Sequence, residues 1–207
     1  MSRVIFLDAG HGSINPATFQ YTTPGKRWQH KGMLLHDKDW FYEGVFNRQV
    51  AALMQHKLVM AGVSVIPVYH PWRDTPLGTR ATIANNYHRS INEGIFCSIH
   101  GNAANTTARG FEVFTSPGNT ASDPIAEDIF NEVKTKLGHK LTMRPQSATK
   151  GSKEANFTVL TSTQMPAVLV ECAFFDNRQD VELMMSRLFR EEMADALSGV
   201  LVEWAKK

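Results

Sequence analysis

Apolar residues along the chain fall into short runs that alternate with longer periodic stretches. Val4–Asp8 is a brief apolar run closed by Ala9 and Gly10, and it reads as a buried strand. Residues 12–39 lack a period and are rich in Gly, Pro, Thr, His and Lys. A loop of that length in a compact domain is more often functional than idle. From Trp40 to Ala61 the apolar positions Phe46, Val50, Leu53, Met54, Leu58 and Ala61 recur every three or four residues. That spacing predicts an amphipathic helix ended by Gly62.

Val63–Tyr69 is β-branched and reads as a strand, with Pro67 marking it as an edge candidate. A second helix is expected over Leu77–Glu93, stopped at Gly94, followed by a buried strand Ile95–Ile99. Gly110–Thr115 reads as a strand, Pro124–Leu137 as a helix, Phe157–Leu160 as a short strand and Ala167–Val170 as a fully apolar strand. The chain ends in a helix with Met193, Leu197, Val200, Leu201 and Trp204 on one face. Strands alternating with helices predict an α/β fold: a three-layer sandwich with a mainly parallel, twisted sheet flanked by helices. At 207 residues, with no repeat or linker, the expectation is one domain over 1–207 carrying a loop insertion around 12–39.

Composition narrows the function classes. Lys and Arg number 22 against 20 Asp and Glu, a net charge of +2, and no clustered basic face is visible, which argues against a nucleic-acid partner. No apolar run approaches the ~18 residues of a membrane span. The opening residues, with Asp8 closing a short apolar run, do not read as a signal peptide. The expectation is therefore synthesis in the cytoplasm, or exit by a route that needs no cleaved signal, with no stable membrane insertion; a monomer is also expected. Cys97 and Cys172 lie in apolar runs and read as free buried thiols.

In an open α/β sheet, ligands bind beyond the carboxyl ends of the strands. His11, His100 and Glu171 all fall there, each a polar group at the end of an apolar run, and both histidines are followed by glycine. Two imidazoles and a carboxylate suit a zinc ion that keeps one position open. A second carboxylate off the metal would move the proton of the attacking water. Glu43, at the start of the first helix, and Glu171 are the acids available for these tasks. Taken singly, such residues are commonly ordinary core or surface groups, and the long intervals between them carry no helical metal signature.

These residues sit in blocks with a family likeness. Ile5-Phe6-Leu7-Asp8-Ala9-Gly10-His11-Gly12, Glu43 with Asn47, Ser98-Ile99-His100-Gly101-Asn102-Ala103, and Met165–Glu171 followed by Phe174-Phe175-Asp176-Asn177 occur in order along the chain. In these blocks the sequence resembles the zinc-dependent N-acetylmuramoyl-L-alanine amidases of bacterial autolysins and phage endolysins. Leu77, Arg80, Ala84, Asn85 and Gly110–Phe114 extend the likeness between them.

The resemblance implies one zinc ion on His11, Glu43 and His100, Glu171 as general base, and peptidoglycan as substrate. The bond to be cut would be the amide between N-acetylmuramic acid and L-alanine. The stretch from His11 to Glu43 is longer than the family's usual loop, so Asp37 and Asp39 stand as alternatives to Glu43. The insertion is either a wall of the substrate groove or a solvated extra. Asn102, Lys150 and Lys153 are candidate substrate contacts, and Trp28, Tyr69 and Trp72 candidate sugar platforms, each against an ordinary structural role. Asp8 is read as a turn cap or as an acceptor for a ligand histidine. Cys172 follows Glu171 and would point the other way on a strand.

Two other functions remain open. One is a zinc exopeptidase or amidohydrolase of soluble peptides, and the other is a muropeptide-binding domain without catalysis. As context, a phage or prophage lysis enzyme and an enzyme processing wall fragments both fit.

Overall fold

A computed structural model describes residues 3–91 and 93–207. Its strands are β1 (Val4–Ala9), β2 (Arg27–Gln29), β3 (Trp40–Tyr42), β4 (Val65–Pro67), β5 (Gly94–Asn102), β6 (Glu112–Thr115), β7 (Lys153–Glu154) and β8 (Ala167–Phe174). Its helices are α1 (Glu43–Met60), α2 (Leu77–Ile91), α3 (Asp123–Leu137), α4 (Thr158–Thr161), α5 (Arg178–Met185) and α6 (Arg187–Lys206). Six strands form one sheet in the order β4-β1-β5-β8-β6-β7, parallel throughout except where β6 runs against β8. β2 and β3 form a separate antiparallel pair.

The period-two alternation of the central strands builds the layers. Ile5, Leu7 and Ala9 of β1, Ile95, Cys97 and Ile99 of β5, and Val168, Val170 and Cys172 of β8 share one core with α1, α3 and α6. Phe6, Phe96, Ala167 and Leu169 face the other way and pack beneath Ala84 of α2 and Val159 and Leu160 of α4. Asp8, His100 and Glu171 belong to this second, thinner layer by the same alternation. The polar row therefore emerges where helical cover is sparse, at the carboxyl ends of β1, β5 and β8. Cys172 falls in the opposite core, and both cysteines are free and buried.

Several elements differ from the sequence expectation. Trp40–Tyr42 pairs with Arg27–Gln29, so the helix starts at Glu43 rather than Trp40. Phe157–Leu160 is not a strand; Thr158–Thr161 forms a single helical turn that buries Val159 and Leu160. The β-branched stretch 63–69 shortens to Val65–Pro67 at the sheet edge, where the missing N–H of Pro67 costs no ladder bond. α5 has no counterpart in the sequence expectation; Asn177 caps it by accepting from the N–H groups of Gln179 and Asp180. The described residues contain no helix long and apolar enough to cross a membrane.

Candidate active site

β1 and β5 are register neighbours, so the turn after Ala9 and the end of β5 lie side by side. His11 follows β1 and adopts φ 61°, a left-handed conformation that costs an L-residue ~1–2 kcal/mol. Its carbonyl accepts from Nη2 of Arg48 at 2.7 Å and Nη2 of Arg80 at 3.1 Å. Two guanidiniums on one carbonyl hold the turn that presents the imidazole.

Glu43 is 1% exposed at the first position of α1. Its backbone N–H donates to the carbonyl of Lys26, which ties the helix start to the insertion. Its Oε1 lies 3.0 Å from Nδ1 of His100 and 3.3 Å from Nε2 of His11. The two imidazoles meet edge to face, with centroids 5.1 Å apart. One donor atom from each of the three residues lies within 4.8 Å of the others. Oε2 of Glu43 is buried with no hydrogen-bond partner among the described residues. A buried carboxylate oxygen left over beside two imidazoles is a donor set that suits a small divalent cation, and the residues present fit such an ion.

Burial pushes the Glu43 pKa up, but the hydrogen bonds and charges of His100 and His11 more than offset this and hold it well below the carboxylate range. Burial lowers the pKa of His100, and Glu43 and Glu171 outweigh that and raise it.

Glu171 stands directly opposite His100 in the parallel β5–β8 register. Burial is the main cause of its raised pKa, about 8, with His100 opposing and Glu43 reinforcing the shift. Its Oε2 is also buried and has no hydrogen-bond partner among the described residues. The cleft above holds His11, His100, Glu171, Lys26, Leu77 and Phe157. A carboxyl group with a raised pKa thus sits beside the three-donor cluster, in a cleft lined by Lys26 and apolar side chains.

The other residues singled out in the sequence divide. Asp37 accepts from the hydroxyl of Tyr42 and Asp39 from the amide of Gln29, so neither joins the cluster. Asp8 neither caps a turn nor receives a ligand imidazole; it is fully buried between Nη1 of Arg80 and the hydroxyl of Ser98. Asn102 donates to Glu112 and accepts from the N–H of Ala103. Lys153 pairs with Glu112, next to Glu171 on the sheet, whereas Lys150 pairs with Glu154 on the surface. Tyr69 lies under the guanidinium of Arg48. The insertion supplies one side of the cleft through Lys26.

The scan of family models matches residues 5–202 to the N-acetylmuramoyl-L-alanine amidase model. The chain belongs to this amidase family. Among curated relatives, N-acetylmuramoyl-L-alanine amidase CwlM of Bacillus licheniformis is 30% identical over 192 residues, covering 92% of this chain and 64% of the relative. An uncharacterized cell wall amidase of Bacillus anthracis is 29% identical over 210 residues, covering 98% of this chain and 36% of the relative. The chain therefore spans about a third of one and just under two thirds of the other. The crystal structure of an N-acetylmuramoyl-L-alanine amidase from Clostridium difficile 630 superposes with a TM-score of 0.76 at 22% identity, covering 100% of this chain and 98% of that one. That likeness establishes the fold: an amidase-family sheet with the strand ends described above.

The amidase cluster has little room to adapt. A Cβ at Gly10 would collide with the imidazole of His100. Gly10→Ala is expected to keep the sheet but displace His100, weakening the binding of a divalent cation at the three-donor cluster by ~10–100-fold. Competition against a chromophoric chelator measures the affinity, and circular dichroism checks the fold. Unchanged affinity would mean that the ring does not need this space.

Proposed function

We propose that this protein is a zinc-dependent N-acetylmuramoyl-L-alanine amidase that cuts the amide between N-acetylmuramic acid and L-alanine in peptidoglycan. His11, Glu43 and His100 would hold one zinc ion, and Glu171 would be the general base. The observation that carries this reading is the convergence of those three donors within 4.8 Å, beside a raised-pKa carboxylate, in a chain of the amidase family.

When bound, zinc supplies Lewis acidity toward the amide carbonyl and makes nearby water acidic enough to react near neutral pH. Glu43 offers a carboxylate already ionised, and His11 and His100 offer nitrogens that must be neutral to ligate. Glu171 accepts the proton of the attacking water at its unpartnered oxygen. It then returns that proton to the nitrogen of the departing alanine, which leaves as a neutral amine. Glu171 would act in its ionised form, which a cation held by His11, Glu43 and His100 would favour over the raised metal-free pKa. Leu77 and Phe157 contribute apolar lining to the cleft.

The test is mass spectrometry of digested, purified sacculi. Expected products are peptides with a free N-terminal alanine and glycan chains of unchanged length. A chelator stops their release and added zinc restores it. Single amino acids trimmed from peptide ends would point instead to an exopeptidase, and binding without release would point to a muropeptide-binding domain. Either result overturns the assignment.

A further inference from the structure

The sheet face that carries Glu171 holds a second charged group, which the mechanism does not use. Glu112 of β6 stands opposite Glu171 in the antiparallel register, while His100 stands opposite it on the other side. One row across three strands therefore reads His100, Glu171, Glu112. Directly paired residues place their side chains on the same face, with Cβ atoms ~5 Å apart.

Glu112 is 5% exposed. Its carboxylate accepts from Nε of Arg144 at 2.9 Å, from Nζ of Lys153, and from Nδ2 of Asn102 at 2.6 Å. Two cations on one anion leave one positive charge over at Glu112, beside the Glu171 carboxyl group. Their side chains remain reachable, 36% exposed for Arg144 and 25% for Lys153. The Arg144 guanidinium lies over the Phe174 ring at 5.1 Å, which fixes its plane. Only its Nε is engaged by Glu112, and among the described residues neither Nη1 nor Nη2 has a hydrogen-bond acceptor. An oriented guanidinium with both terminal amines open matches a carboxylate, which it can hold with two parallel N–H bonds.

The direction of the reaction decides what would reach it. Glu171 hands its proton to the leaving nitrogen, so the peptide side of the substrate lies over Glu171, away from His11 and Glu43. The next charged group along that row is Glu112 with its two cations. We infer that Arg144 and Lys153, held in place by Glu112 and Asn102, form a subsite for a carboxylate of the peptide portion of the substrate. This rests on the amidase reading and adds the polarity of binding: peptide toward β6 and β7, sugar toward β1 and the insertion.

The experiment uses two synthetic muramoyl-L-alanyl peptides that differ only at the second peptide residue, one with a free carboxylate and one with a carboxamide. Zinc-loaded wild-type protein is expected to favour the acidic peptide by about tenfold in kcat/KM, through KM, the scale of one charge-assisted hydrogen bond. In Arg144→Gln the ratio falls toward one, and in Arg144→Lys it is partly restored. Thermal melts confirm that each variant is folded. Should Arg144→Gln fail to fold, Lys153→Met supplies the same readout, since Arg144 still covers Glu112. Equal use of both peptides by the wild type, or a preference that survives in the folded variants, overturns the subsite while leaving the amidase reading intact. Cleavage of neither peptide by the wild type overturns both.

Discussion

Glu171→Gln is expected to lose turnover by about 10²–10⁴-fold, the usual contribution of a positioned proton carrier, while it keeps its zinc. Glutamine matches the size and shape of glutamate but cannot accept a proton at physiological pH, so the substitution removes the chemistry and preserves the packing. Glu171 is not part of the three-donor cluster, and among the described residues its Oε2 has no partner to lose. Burial raises the Glu171 pKa in the metal-free protein, so the neutral amide should be tolerated there, and the metal-free variant should melt no lower than wild type. Peptide release from purified sacculi, zinc content and metal-free melting temperature together separate the outcomes. Near-wild-type release would remove Glu171 from the mechanism. Loss of both release and zinc would make it a ligand instead.

The residues that carry this argument differ in how visible they are before folding. His11, His100 and Glu171 stood out because a polar group at the end of an apolar strand has few cheap fates. Parallel register then brings strand ends together without further information. Glu43 was harder to read, because the insertion offers competing acids and only the Lys26 carbonyl on its N–H and the imidazoles on its carboxylate single it out.

The β2–β3 pair escaped notice because β2 is exposed at all three positions and has no hydrophobic alternation to betray it. Trp40–Tyr42 merged with the helical period that follows. Phe157–Leu160 has strand-like composition, but packing of Val159 and Leu160 beside α2 fixes a helical turn. Such tertiary overrides are expected where a segment is only four residues long. The charged row through Glu112 was invisible for a different reason. Its members and their partners come from β5, β8, β6, β7 and the segment around Arg144, and only the sheet order brings them together.

Arg80 is the residue whose loss should do most damage away from the chemistry. It is 1% exposed on α2. Its Nε donates to the Thr75 carbonyl at 2.7 Å, Nη1 to Asp8 and to the Ala9 carbonyl at 2.7 Å, and Nη2 to the His11 carbonyl and to Asp74. Arg80→Met leaves the Asp8 carboxylate buried with only the Ser98 hydroxyl. Stranding one partner of a buried ion pair costs ~3–5 kcal/mol. At about 2–4 °C per kcal/mol for a domain of this size, the metal-free melting temperature should fall by roughly 10 °C.

The same change removes one of the two guanidiniums on the His11 carbonyl, so the strained turn loses support and zinc affinity should drop by about tenfold. A second substitution separates the two effects. Asp8→Asn combined with Arg80→Met relieves the stranded charge and recovers much of the melting temperature. It cannot recover the donor on His11, so affinity stays low. Calorimetry on metal-free protein and chelator competition on zinc-loaded protein read the two quantities independently. If affinity instead returns together with stability in the double variant, Arg80 supports the fold alone and the His11 turn is held by Arg48.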